Sequence, residues 1–434
     1  VLGSGLVARP LVQYLLEQTN AELVVAGNDR QRALELIADH PRAQAVELDV
    51  EADQPLLRQW VERSGVVVSL LPYLHHPTVG RICVEKGVSL VTTSYVSPAM
   101  QALHDQAVAR GILLLNEVGL DPGIDHMSAM KTIRAVQEQG GRVLGFESFC
   151  GGLPAPEAAD NPFRYKFSWS PRGVLLAGRN PARYLHQGRV VEIPSQALFK
   201  NPWLKNVAGV GDLEVYPNRD ALPYQRLYGL EQAHTVFRAT LRYPGWCEMM
   251  AVFAAAGLLD DSFRQDLAEK SWRRVWIEKY GLADDAPASR IASALHLSPK
   301  ERIFLSLEWL GLFSATPVGA HSLLDGLTSA MQRRMAYQPG ERDMVVLQHD
   351  FQVQFGGQPP RRTSARLIDY GVPFGDSSMS RTVGLPAAVA AKWIWLQRIR
   401  LTGVRIPVEP ELYLPILSEL HRMGICIVET NESE

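Results

Sequence analysis

Cysteine is scarce in this chain of 434 residues, and its four copies, Cys83, Cys150, Cys247 and Cys426, lie far apart with no C-x-x-C pair. That spacing speaks against a zinc ribbon or a disulfide framework and fits reduced thiols in a cytoplasmic enzyme. An excess of either charge is also missing: 44 basic and 46 acidic residues leave a net charge of −2, so no global field draws the chain to nucleic acid or to an anionic membrane surface. Long hydrophobic runs are absent too. The most apolar stretch, Val383 to Ala391, ends at Lys392, far short of the ~20 residues that span a bilayer. No internal repeat or low-complexity tract is visible, and no signal peptide is expected. The chain starts at Val1, without methionine, almost inside a glycine-rich turn, and is expected to be a fragment of a longer polypeptide.

What is present is a length sufficient for two or three domains and a clear change of pattern along the chain. Up to about residue 125, short apolar runs at Leu23–Ala26, Ala45–Leu48, Val66–Leu71, Ser89–Thr92 and Ile112–Leu115 alternate with helical patterns. This alternation predicts an α/β fold whose N-terminal part is a Rossmann doubly wound parallel sheet. Leu11, Leu15 and Leu16 mark the inner face of its first helix, and Trp60 and Val61 that of a later one. From Arg142 to Tyr243 the pattern is irregular and rich in loops, as expected of a mixed α/β substrate domain. From 246 to 337 apolar residues recur at helical spacing, predicting a helical insertion. Met344–Phe355 and Thr363–Tyr370 read as an antiparallel hairpin. The last segment carries an alanine-rich helix with Pro386 expected in its first turn. The expected domains are therefore 1–125, with 380–434 packing back on it, then 126–245 with 338–379, and a helical subdomain over 246–337.

Chemistry concentrates where the predicted strands end. Gly3, Ser4, Gly5, Leu6, Val7 and Ala8 form G-x-G-x-x-A between a strand remnant and an amphipathic helix. Gly3 allows the tight turn, Gly5 lets a pyrophosphate approach the backbone, and Ala8 allows close helix packing, so a dinucleotide is expected. At the end of the next strand, Gly27, Asn28, Asp29 and Arg30 send mixed signals about the ribose 2′ position. Gly27 and Arg30 suit a phosphate, whereas Asp29 suits a free hydroxyl; the balance leans to NADP over NAD. His75 and His76 are expected to start a helix rather than bind metal, and no metal site is predicted. Ser94 and Tyr95 follow another strand, with the Tyr95 phenol either offered to a ligand or simply packed. In G-L-D-P-G-I-D-H-M, Gly119 to Met127, Pro122 and Gly123 force a turn, so that Asp121 falls on the rim where open α/β sheets bind ligands. Asp121 and Asp125 are either site carboxylates or helix caps. Cys150 precedes Gly151 and Gly152, where a strand pattern breaks, and is either a buried structural thiol or one facing a ligand. Arg164, Lys166, Arg172, Arg219, Arg238 and Arg242 supply cations suited to an anionic small substrate.

The combination of motifs is more specific than any one of them: G-S-G-L-V-A-R-P at Gly3–Pro10, S-L-L-P-Y at Ser69–Tyr73, T-S-Y-V-S-P-A at Thr93–Ala99, and G-L-D-P-G-I-D-H at Gly119–His126. Further on come C-G-G-L-P-A-P-E at Cys150–Glu157, Y-K-F-S-W-S at Tyr165–Ser170, Y-P-N-R-D at Tyr216–Asp220, T-L-R-Y at Thr240–Tyr243 and E-R-D-M-V-V-L-Q-H at Glu341–His349. Together they resemble the L-glutamate-forming saccharopine dehydrogenases over essentially the whole chain, and also the saccharopine dehydrogenase half of bifunctional aminoadipic semialdehyde synthases. The resemblance implies oxidative cleavage of saccharopine with NAD(P) and water to L-glutamate and 2-aminoadipate 6-semialdehyde, or the reverse, in lysine metabolism. It implies cofactor contacts from Gly3 to Ala8, Asn28, Leu71, Ser94, Leu120, Asp121, Pro122 and Ser170. Substrate contacts are implied for Ser94, Tyr95, Asp121, Arg219, Thr240, Leu241 and Arg242, and Asp121, Cys150 and Tyr95 are the implied polar groups at the reacting amine. Asn28 departs from the arginine pattern of the fungal enzymes. A homodimer and fusion to a lysine-ketoglutarate reductase domain are the partners the resemblance leaves open.

Two rival readings differ in what they require. A carboxynorspermidine dehydrogenase would act on a related secondary amine but would favour an acidic lining over Arg219 and Arg242. A non-catalytic dinucleotide sensor would keep Gly3 to Ala8 without needing Asp121, Cys150 and the arginines together.

Overall fold

The computed structural model describes residues 1–431, which form two compact units. One comprises Val1–Phe146, Arg226–Gln232 and the chain from Leu347 onward, the other Glu147–Gln225 and Ala233–Val346.

The first unit opens on Leu2, which makes single parallel bridges to Ala26 and to Ser69. Helix α1 (Ala8–Gln18) and strand β1 (Leu23–Gly27) follow, then α2 (Arg30–Ile37), β2 (Ala43–Glu47), α3 (Gln54–Glu62) and β3 (Val66–Ser69). Next come α4 (His76–Lys86), β4 (Ser89–Thr92), the short α5 (Pro98–Gln101) and α6 (His104–Ala109), β5 (Leu113–Leu115) and α7 (Ile124–Glu138). β1 and β2 pair in parallel, as do β3 with β4 and β4 with β5. Leu2 stands between β1 and β3, so the sheet order reverses at this residue. The apolar runs form strands because both faces are covered: Val67, Leu90 and Leu114 join the core cluster of Leu57, Val61, Val79 and Ile82. Their alternating neighbours Val68, Val91 and Leu115 are equally buried, and period-two side chains point to opposite faces. The expected α/β fold with a parallel Rossmann sheet is borne out.

The second unit is built from residues whose pattern reads as irregular but which carry a sheet. β6 (Gly141–Pro154) contributes residues to both units and is followed by α8 (Pro171–Ala177), β7 (Ala182–His186), β8 (Arg189–Ile193), β9 (Trp203–Val207), β10 (Gly211–Pro217), α9 (Pro223–Leu227) and β11 (Thr235–Arg242). The order β6-β11-β10-β9, with β7 joined to β11 and β8 to β7, uses antiparallel β9–β10, β10–β11, β7–β11 and β7–β8 pairs. The expected strand break at Gly151 and Gly152 does not occur: β6 runs through both. A Cβ on Gly151 would lie 2.7 Å from the Leu241 carbonyl oxygen, so glycine there serves close strand packing. Helices α10 (Trp246–Ala255), α11 (Trp272–Tyr280), α12 (Ala288–Ala294), α13 (Arg302–Trp309) and α14 (Leu323–Arg334) follow. Trp246, Trp272, Trp276, Phe253 and Leu307 anchor their common core.

β12 (Asp343–Phe355) and β13 (Arg361–Tyr370) are neighbouring strands near the expected bounds, and β13 pairs antiparallel with β15 (Val428–Asn431). α15 (Ser378–Trp395) packs on α1, β3 and β4, and β14 (Gly403–Arg405) extends the parallel sheet beside β5. Pro386 lies inside α15 rather than in its first turn. Ser377 caps the helix earlier than expected, its side chain accepting from the Ser380 amide.

Candidate active site

The turn from Gly3 to Val7 sits at the point where the sheet order reverses, which is where open α/β sheets bind ligands. Gly3 has φ +105°, a left-handed value open to glycine. Nothing stands within 4 Å of a Cβ placed on Gly5, so the backbone there is free to be approached. Ala8 is buried, and the start of α1 carries no side-chain cap. In its first turn the Ala8 amide donates to the Gly5 carbonyl at 3.1 Å and Pro10 has no amide, so the Arg9 amide and those of the preceding turn are the ones that can meet an anion.

At the end of β1, Gly27 packs beside Ser4, and Asn28 is exposed. Asp29 is committed locally: one oxygen caps α2 by accepting from the Arg32 amide at 3.0 Å, and the other lies 3.4 Å from the Arg32 guanidinium. A carboxylate so engaged is less able to repel a 2′-phosphate.

The rim of the same sheet gathers three further polar arrangements within the first unit. His76, in the first turn of α4, is buried between two hydroxyls, with Nδ1 3.0 Å from Ser69 Oγ and Nε2 3.0 Å from Ser94 Oγ. Burial, with a smaller contribution from neighbouring His75, pushes its imidazole down from 6.5 to about 4. Neutral His76 thus fixes the Ser94 hydroxyl. Tyr95 donates its phenol to Asp121 Oδ1 at 2.9 Å. Asp121 is half-buried, between buried Leu120 and Pro122. Asp125 has the other role: its Oδ1 accepts from the Gly123 amide at 2.5 Å and braces the turn. The turn requires Gly123, since φ is +148° and an added Cβ would fall 2.0 Å from the Gly119 oxygen. Leu71 is half-buried after β3.

The third arrangement lies outside the expected set. Glu117, at φ +60°, accepts the Val96 amide on Oε1 at 2.9 Å and places Oε2 2.7 Å from His126 Nε2. His126 Nδ1 is 2.6 Å from the Tyr228 hydroxyl. All three side chains are buried. The imidazole in G-L-D-P-G-I-D-H was a signal for His126, but nothing in the chain marks Tyr228, 102 residues away.

In the second unit Arg242, the last residue of β11, is buried. Its Nη1 donates to the Leu241 carbonyl at 2.8 Å, and its guanidinium carbon stands 5.0 Å from the Tyr165 ring centroid and 5.5 Å from that of Trp246. Its Nε has no hydrogen-bond partner. Glu214, directly across the strand pair, instead caps α10 by accepting from the amides of Gly245 and Cys247 at 2.7 and 2.9 Å. A buried cation without a carboxylate is costly, so the place suits an anionic ligand. Cys150, buried in mid-strand, is close enough to Arg242 to feel its charge. Thr240 and Leu241 precede Arg242 on β11. Arg219 lies in the exposed turn after β10 with φ +55°. Ser170 caps α8, accepting from the Gly173 amide at 3.2 Å. Lys166 is held by Asp160 and Glu341 at 2.9 and 2.6 Å, and Arg172 by Asp325 at 2.8 Å; these cations of the middle region are already engaged.

A glycine turn and a polar rim at the reversal point of a parallel sheet mark a nucleotide-binding α/β architecture. Two family models match, the saccharopine dehydrogenase NADP binding domain over residues 1–115 and the saccharopine dehydrogenase C-terminal domain over 119–425. The chain belongs to the saccharopine dehydrogenase family. It is 38% identical over 440 residues to saccharopine dehydrogenase [NADP(+), L-glutamate-forming] of Schizosaccharomyces pombe, covering 99% of this chain and 98% of that one. It is 36% identical to mitochondrial alpha-aminoadipic semialdehyde synthase of mouse, covering 98% of this chain but 47% of that protein. The apo saccharopine dehydrogenase (L-Glu forming) of Saccharomyces cerevisiae has the same fold, with a TM-score of 0.90 at 36% identity, covering 100% of this chain and 99% of that chain.

Proposed function

We propose that this chain is an oxidoreductase of lysine metabolism that cleaves saccharopine oxidatively, with NADP as cofactor and water as co-substrate, to L-glutamate and 2-aminoadipate 6-semialdehyde, or runs the reverse. Full-length identity to the fission yeast enzyme supports the reaction. The single structural observation that carries it is buried Arg242, whose Nε has no hydrogen-bond partner and whose cross-strand neighbour Glu214 is engaged by the amides of α10. Such a site suits a substrate carboxylate and opposes a polyamine.

When bound, NADP accepts the hydride from the carbon attached to the secondary amine. The residues of the chain bind, orient and move protons. The Gly3–Ala8 turn and the uncapped start of α1 hold the pyrophosphate, and Asn28, Leu71, Ser94, Leu120, Pro122 and Ser170 are proposed as further cofactor contacts. Arg242, Arg219, Thr240 and Leu241 are proposed to hold substrate. Asp121, with the Tyr95 phenol hydrogen-bonded to it, is proposed to take the amine proton and, after the imine forms, to direct water to it; Cys150 is the alternative proton carrier. Loss of glutamate completes the reaction.

NADP is favoured over NAD because Asp29 is engaged by α2 and Arg32. A cytoplasmic location is part of the same proposal, and light scattering reads out the proposed homodimer. Among the described residues no helix is long and apolar enough to cross a membrane. The test is absorbance of reduced cofactor on mixing purified chain with saccharopine and NADP or NAD. Reduction with NADP is expected; a folded chain that reduces neither cofactor overturns the proposal.

A further inference from the structure

Glu117 occupies a position that a side chain takes only under constraint. Its φ of +60° is left-handed, uncommon and strained for a residue with a Cβ, and its carboxylate is buried, which is unfavourable unless each oxygen is engaged. Both oxygens are engaged, and on different segments. Oε1 takes the Val96 amide, one residue after Tyr95, at 2.9 Å. Oε2 meets His126 Nε2 at 2.7 Å, in the first turn of α7 and five positions after Asp121. The Glu117 backbone adds a third tie, its amide donating to the Ser94 carbonyl at 3.1 Å. On the far side of the imidazole, the Tyr228 hydroxyl lies 2.6 Å from Nδ1 and fixes the ring. One carboxylate thus joins the segment carrying Tyr95 to the helix whose preceding turn carries Asp121. Those two side chains meet at 2.9 Å.

We infer that Glu117 and His126 are positioning residues that hold the Tyr95–Asp121 hydrogen bond in register, a role that rests on the proposed function for its effect on turnover but not for its effect on the bond. Helix α7 and the end of β4 are separate elements, and a carboxylate shared between them sets the distance between the two groups they present. A site misplaced by about 1 Å loses roughly 100-fold in rate.

Two measurements on the full chain test the clamp. In protein isotope-labelled at tyrosine Cζ, the Tyr95 resonance, identified by its loss in Tyr95→Phe, should move in Glu117→Ala to the value it takes in Asp121→Asn. An unchanged resonance overturns the clamp. Glu117→Gln, which keeps an acceptor for the Val96 amide, should move it less and serves if the alanine variant folds poorly. In saccharopine turnover, Glu117→Ala should lower kcat by about 100-fold with the NADP dissociation constant unchanged, and Glu117→Gln by about 10-fold. Combined with Tyr95→Phe, Glu117→Ala should add less than about 3-fold to the loss from Tyr95→Phe alone, because both act on one bond. Losses that multiply contradict it. A folded wild-type chain that turns over no saccharopine strikes the proposed function instead, and the resonance then decides the clamp by itself.

Discussion

Arg219 and Arg242 look alike in sequence, yet the fold separates them: Arg219 is exposed in a turn and Arg242 is buried on aromatic rings. Arg242→Met should therefore lower kcat/KM for saccharopine by one to two orders of magnitude, a loss of about 1.5–3 kcal/mol for a charge-assisted contact. Arg219→Ala should show the same kind of loss at the smaller end of that range. Cofactor titration should show NADP affinity nearly unchanged in both, and wild-type kcat/KM in both variants would remove the arginines from the site. His76 gives a prediction in pH. Its folded value of about 4 lies below the ordinary 6.5, so the unfolded chain takes up the proton first. Its favourable contribution is complete above about pH 6.5 and is lost as pH falls toward 4. Between pH 6.5 and 5 this amounts to about 2 kcal/mol, measurable by urea unfolding of wild type against His76→Gln. Equal pH slopes in the two proteins would contradict it.

Legibility differed sharply between elements. β4 was readable to the residue, Ser89–Thr92, because its apolar run is buried on both faces and bounded by turn residues. β6 to β11 were not readable, because β7, β8 and β9 carry exposed residues such as Val190, Trp203 and Leu204, and glycines inside β6 imitate a strand end. The turns that carry Gly3 and Asp121 could be read from local chemistry; the partners of His126 and the burial of Arg242 depend on chain segments far away in sequence. The packing of α15 on α1 depends on a detail of this kind. A Cβ at Gly384 would lie 2.5 Å from the Val7 carbonyl oxygen, at the end of the glycine turn. Gly384→Ala should destabilise the protein by about 1–3 kcal/mol, as overpacking does, and raise the NADP dissociation constant. Thermal unfolding and cofactor titration check the two parts, and an unchanged melting temperature would show that the turn yields without cost.

At the scale of the whole molecule, the proposed three-part division, 1–125 with 380–434, 126–245 with 338–379, and 246–337, differs from the two compact units because β6 and β12 each give residues to both. No periodicity in sequence announces a strand shared in that way. The chain spans nearly all of the fission yeast relative and about half of the mouse synthase. The reaction proposed for the chain is the oxidative cleavage of saccharopine. Its most direct test is the stoichiometry of one reaction: purified chain, saccharopine and NADP, with reduced cofactor read by absorbance and L-glutamate by mass spectrometry. One glutamate released for each NADP reduced, with NADP preferred to NAD, is the predicted result. A folded chain that yields neither product with either cofactor would contradict it.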